Sequence, residues 1–160
     1  MTYAGISYLM ENSFKASSIA GQALEVQHES KLQQYSYIKD ELKELFEAIA
    51  TNDQVEQLDA CVDILVCTLG FMQKLEQQGA NLDLAMIKTA DNNLTKFPTE
   101  RKVAEETVEF YRNKGTECTI SFNPVYQRYV VRNTNGKYLK PKGFVENDLS
   151  DCFPYKKGQV

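Results

Sequence analysis

The sequence predicts an all-α protein: a helical bundle with a small C-terminal β-hairpin. Three observations predict it. Apolar residues recur through Ile38, Leu42, Leu45 and Ile49, the spacing that lines one side of a helix. A second row, Val55, Leu58, Val62, Leu65 and Leu69, follows after a short polar break, and two amphipathic helices joined so briefly pack as an antiparallel pair. Beyond Gly115 the pattern changes to short strand-like runs.

Taken in order, Ser7 to about Phe14 reads as a short helix, followed by a loop through Gly21 to about Glu25. Helical pattern resumes near His28 and runs to Ile49, where Thr51-Asn52-Asp53 breaks it. Asp53 is placed as an N-cap, and Glu56 three residues on has the spacing of a capping box that opens the next helix. That helix ends near Gln77-Gln78-Gly79. A third runs from Leu82 towards Pro98, and a fourth from Glu100 to Asn113 stops at Lys114-Gly115, with Gly just past a C-terminus as expected. Glu117 to Phe122 and Tyr126 to Asn133 are strand candidates, and Asn135-Gly136 supplies a hairpin turn before Lys137-Tyr138-Leu139. The expected organisation is a helical part, residues 1–115, and a hairpin with an irregular arm, residues 116–160, in one compact unit.

Composition narrows the function. A chain of 160 residues with net charge −4 lacks the clustered Lys and Arg that nucleic-acid backbones require. Cys61, Cys67, Cys118 and Cys152 form no C-x-x-C pair, so zinc and disulfides are not expected, and Cys61 and Cys67 read as small apolar residues inside a helix. No apolar stretch approaches the roughly 20 residues of a membrane span, and a cytoplasmic location is expected. His28 is the only histidine, which excludes a di-iron bundle built on Glu-x-x-His pairs and any His-based triad.

Carboxylates are the remaining chemistry. At about 100° per residue, Glu41 lies about 80° from the apolar centre of its helix, with Glu44 further round the same side. On the next helix Asp59 lies about 70° off centre, with Asp63 and Glu56 close behind it. If the helices pair, these flanks face each other, and a cluster of like charges is relieved by a cation. Oxygen-only ligands select a hard ion, Mg²⁺ or else Mn²⁺. The same spacing also fits an ordinary solvated helix face.

Ile38-Lys39-Asp40-Glu41-Leu42-Lys43-Glu44-Leu45-Phe46-Glu47-Ala48, followed by Asp59-Ala60-Cys61-Val62-Asp63-Ile64-Leu65-Val66, resembles the all-α nucleoside triphosphate pyrophosphohydrolases. That superfamily includes MazG, phosphoribosyl-ATP pyrophosphohydrolase and dimeric dUTPase, and its signature is E-x-x-E on one helix and E-x-x-D on the next. Asn93-Leu94-Thr95-Lys96-Phe97 is similar to the N-x-x-K segment of the MazG-like and phosphoribosyl-ATP-like branch. Tyr129 to Pro141 resembles the C-terminal hairpin and arm of bacterial and phage members. One departure stands out. Ala60 occupies the position three before Asp63 where the pattern has an acid, and Asp59 stands four before; the alternative pair is Glu56 with Asp59.

The resemblance implies Mg²⁺-dependent hydrolysis of a nucleoside triphosphate to monophosphate and pyrophosphate, in nucleotide-pool housecleaning. Glu41, Glu44, Asp59 and Asp63 are the implied metal ligands, with Glu41 or Glu44 accepting the water proton. Lys96 is implied to stabilise phosphate charge, and Asn93 to hydrogen-bond the nucleotide. A lysine in the last turn of a helix also satisfies terminal carbonyls, so Lys96 has a purely structural reading. Two other functions remain open from the sequence: a hydrolase of another pyrophosphate substrate such as an alarmone, and a non-catalytic interaction module. Two long amphipathic helices and a shorter third cannot enclose both sides of the pair, so a homodimer or a dimer of dimers is expected.

Overall fold

In the computed structural model, which describes residues 3–22 and 27–154, the chain begins with helices α1 (Tyr3–Ile19), α2 (His28–Thr51) and α3 (Gln54–Gln77). Helix α1 is longer than its sparse apolar pattern predicts, and it packs on α3. The turn between α2 and α3 needs only Asn52 and Asp53. Asn52 adopts a left-handed φ of 57°, a conformation that asparagine accepts more readily than most residues, and the Asp53 amide donates to the Ala48 carbonyl at 3.0 Å. The Asp53 carboxylate then accepts from the amides of Val55 and Glu56, at 3.1 Å each. The expected capping box is therefore half formed: the Asp53 N–H, which Glu56 would satisfy, already closes the end of α2.

The α2 and α3 helices pack along their length, on a face turned partly away from the apolar row: Ile38, Leu45 and Leu69 of that row are covered and the rest are not. Leu42, Ile49, Val55, Leu58, Val62 and Leu65, expected at the buried centre, are exposed. The less exposed positions of α2 are Gln34, Ile38, Glu41, Leu45 and Ala48, alternating by four and three as a packing seam does. Facing them α3 offers Gln57, Ala60, Ile64 and Cys67. Ala48 and Ala60, at 3% and 2% exposure, let the backbones approach closely. Two cross-links from side-chain amides hold the pair: Gln34 Nε2 donates to the Cys67 carbonyl at 2.9 Å, and Gln57 Nε2 to the Ala48 carbonyl at 3.1 Å.

The described chain divides into two units, residues 3–22, 27–82 and 153–154 in one and residues 83–152 in the other. The second contains α4 (Leu82–Thr95) from Asp83 onwards, α5 (Arg101–Arg112), and the antiparallel strands β1 (Cys118–Asn123) and β2 (Arg128–Asn133), with Ile120 opposite Val131. Its core is Ala104, Val108, Cys118 and Val131, flanked by Tyr111, Tyr129 and Leu139. The dividing line falls between 82 and 83, not at the expected 115/116 boundary, because α4 is tied to the C-terminal arm. Asn92 Nδ2 donates to the Val145 carbonyl at 2.9 Å, Asn147 Nδ2 to Thr89 Oγ1 at 2.9 Å, and Lys88 Nζ pairs with Asp151 at 2.6 Å.

Two turns follow one another in this part of the chain. The first joins β1 to β2 over residues 124–127, where Asn123 Oδ1 accepts from the amides of Val125 and Tyr126, and such an asparagine turn needs no glycine. The second is the expected one at Asn135-Gly136: the Gly136 amide donates to the Asn133 carbonyl at 3.0 Å, and Tyr138 bridges back antiparallel to Arg132.

Candidate active site

Glu41 stands in the α2/α3 seam between Ile38 and Leu45, half-buried. Burial holds its carboxyl above the ordinary glutamate value, and the charges of Glu44, Asp63, Asp40 and Asp59 raise it further, in that order. The charges that act on Glu41 thus include those of the other three acids implied as ligands: exposed Glu44 and Asp59, and half-buried Asp63. Glu56 is not among the groups that act on Glu41. Ala60, where an acid would stand in the family pattern, is buried in the seam. An acid there would be pressed between two helix backbones, whereas Asp59 projects beside them.

Cys67 lies one turn beyond Asp63. Its thiol is held above the usual value by burial first, then by the charges of Glu41 and Asp63, so it stays a neutral wall of the site. The sequence reading took Cys67 for packing and passed over Gln34. The available signal was the four-three spacing from Gln34 through Glu41 to Ala48, which a search for apolar rows does not detect. Cys61, grouped with Cys67 as a packing residue, is exposed. His28 is exposed as well.

Asn93 and Lys96 lie on and just after α4, in the second unit. Lys96 Nζ donates to Asn93 Oδ1 at 2.6 Å, and the Lys96 amide closes the helix end on the Asn93 carbonyl. The two residues implied as nucleotide contacts are thus each other's side-chain partners, and the lysine side chain bonds the asparagine oxygen, not a terminal carbonyl.

The donors suit a hard cation in kind and in charge: they are all carboxylates, and their repulsion at Glu41 is what a cation relieves. They are not drawn into a closed cage, since among the described residues no three acidic, thiol or imidazole groups stand close enough to hold a metal ion. Such a spread set fits an ion that keeps waters and takes further oxygens from a phosphate, as Mg²⁺ does, better than one needing an all-protein shell.

A helical hairpin with acids on both limbs, one of them in the seam, defines a class of carboxylate site suited to phosphate chemistry. Residues 22–93 match the family model of phosphoribosyl-ATP pyrophosphohydrolase. The match places this segment with the all-α nucleoside triphosphate pyrophosphohydrolases by similarity, and the family's name denotes hydrolysis of a pyrophosphate bond. It contains Glu41, Glu44, Asp59 and Asp63 and ends at Asn93, before Lys96. No curated protein and no solved structure matches the chain. Among the described residues no helix is long and apolar enough to cross a membrane.

Proposed function

We propose that the chain hydrolyses the α–β phosphoanhydride of a nucleoside triphosphate, giving a nucleoside monophosphate and pyrophosphate, with Mg²⁺ or Mn²⁺ at Glu41, Glu44, Asp59 and Asp63. The observation that carries the reading is the position of Glu41: a carboxylate placed in a helix seam and ringed by four more acids has a folding cost and no structural benefit. When bound, the cation neutralises charge on the phosphates. Glu41, held rigidly by the packed seam, accepts the proton of the attacking water. Glu44, a turn further along and exposed, reaches the solvent side, while Asp59 and Asp63 approach from α3. Roles for Asn93 and Lys96 as nucleotide contacts rest on the family likeness alone.

The exposed rows Leu42, Phe46 and Ile49 on α2 and Val55, Leu58, Val62 and Leu65 on α3 are assigned to a second copy of the chain. A monomer would leave this unbroken apolar surface in water. Equilibrium sedimentation giving a monomer at micromolar concentration would overturn the assignment.

The test of activity is pyrophosphate release from a panel of (d)NTPs and phosphoribosyl-ATP with Mg²⁺ or Mn²⁺, run beside Glu44→Ala and Asp63→Ala. Release from a triphosphate that is lost in both variants supports the proposal. Release from phosphoribosyl-ATP alone would assign the site to that nucleotide, the reading favoured by the family that matches. No release from folded, metal-supplied protein would overturn it.

A further inference from the structure

The first unit holds a second feature beside the acids, a cavity of about 530 Å³ between α1, α2 and α3. Among its lining residues are Asn12 and Ser13 from α1, Gln34 and Tyr37 from α2, and Cys67 and Gly70 from α3. Its lining includes no acid, lysine or arginine, so it suits a neutral group and not a phosphate. Cys67 joins it to the acids: the thiol lines the cavity and feels the charges of Glu41 and Asp63. Along the helices, Cys67 is one turn from Asp63 and Gln34 two turns from Glu41, roughly 6 and 10.5 Å at 1.5 Å per residue. A ribose spans that kind of gap between a base and its phosphates.

Of the three residues with side-chain amides that line the cavity, Asn12, Gln22 and Gln34, Asn12 and Gln34 have fixed orientations. Asn12 Nδ2 donates to the Tyr8 carbonyl at 2.8 Å, and Gln34 Nε2 donates to the Cys67 carbonyl at 2.9 Å. A backbone carbonyl only accepts, so each amide must turn its nitrogen to the backbone, which leaves Asn12 Oδ1 and Gln34 Oε1 without a partner among the described residues. Gly70 makes the Gln34 position possible. A Cβ at residue 70 would come within 2.8 Å of Gln34 Nε2.

From this lining we infer that the α1/α2/α3 cavity holds the nucleobase and favours one with an exocyclic amino group, such as cytosine or adenine, whose N–H bonds meet the two amide oxygens. The inference rests on the proposed nucleotide substrate. The amino groups of cytosine and adenine are donors, whereas the corresponding keto oxygen of thymine is an acceptor. A keto base would set oxygen against oxygen, and a site built to receive a donor discriminates strongly against its absence.

The experiment compares matched pairs that differ in the amino group, dCTP with dUTP and dATP with dITP, by kcat/KM for pyrophosphate release. An amino-over-keto preference of about tenfold or more in both pairs is expected. Asn12→Leu and Gly70→Ala, each checked for unchanged helical circular dichroism, are expected to bring the ratios towards one, with the loss in KM and not in kcat. Equal or faster cleavage of the keto members by the unaltered chain overturns the inference and leaves the pyrophosphohydrolase reading standing. If no triphosphate is cleaved, calorimetry of the full chain with cytidine, uridine, adenosine and inosine decides it. Tighter binding of the amino nucleosides supports the cavity assignment even then, and no binding or no preference overturns it.

Discussion

The α2/α3 seam and the α5/hairpin core bury side chains to opposite ends. The core of the second unit is mainly apolar: Val131 is 2% exposed and Ala104 fully buried, the Cys118 thiol, at 5% exposure, points to the Val108 carbonyl, and the buried Thr107 hydroxyl donates to the Val103 carbonyl. The seam of the first unit mixes Ile38, Leu45, Ile64 and Cys67 with two alanines, two amide side chains and a glutamate, while Leu42, Phe46, Ile49, Leu58 and Leu65 are exposed. Burial in the core stabilises the fold; in the seam it positions a carboxylate among others and leaves Leu42, Ile49, Leu58 and Leu65 exposed. Removing a seam acid is therefore expected to reduce activity without reducing stability, and trimming the core to do the reverse.

The largest expected effect is on catalysis. Glu41→Gln should lower kcat by about 10²–10⁴-fold, the range for loss of a general base, with a melting temperature at or above that of the unaltered chain. A clear fall in melting temperature would break the contrast. Next comes Val131→Ala, which removes two buried carbon groups and leaves a cavity. It should cost about 2 kcal/mol in urea denaturation, with kcat/KM unchanged for the remaining folded protein.

The pH dependence sharpens the same contrast. The folded carboxyl of Glu41 titrates above its unfolded value, so the native state binds the extra proton. Its presence carries no penalty below the unfolded pKa, and stability is lost as pH rises through the folded one. The stability advantage of Glu41→Gln should thus be present at neutral pH and vanish in acid, as measured by urea midpoints across pH. An advantage that grew towards acid would reverse the assigned sign.

The smallest effect is expected at Gly70. Alanine there improves helix propensity by up to about 1 kcal/mol, and the displaced neighbour is the end of a flexible glutamine side chain. Gly70→Ala should change thermal stability little while eroding base preference, as followed by melting and by the dCTP to dUTP ratio. A large loss of stability would mean that the Gln34 cross-link holds the helix pair together.

Much of the molecule was legible from the residues. The helix limits at His28, Leu82 and Gly115, the Asp53 cap and the switch to strands follow from local signals that act within a turn or two. Of the site, the acids on neighbouring helices were legible because charge and spacing are written in sequence. The Asn135-Gly136 turn was legible because the dipeptide is a strong local signal, whereas the Asx turn at Asn123 that joins the two strands leaves a weaker trace.

By itself, the sequence determined the elements, the acids and the family likeness of residues 22–93, since caps, period and motif are short-range properties. Only the tertiary structure decided which face of α2 meets α3. An apolar stripe says that a face must be covered, but not by what. Close packing through Ala48 and Ala60 turned Glu41, Gln34 and Cys67 inward and left Leu42, Ile49 and Val62 outside.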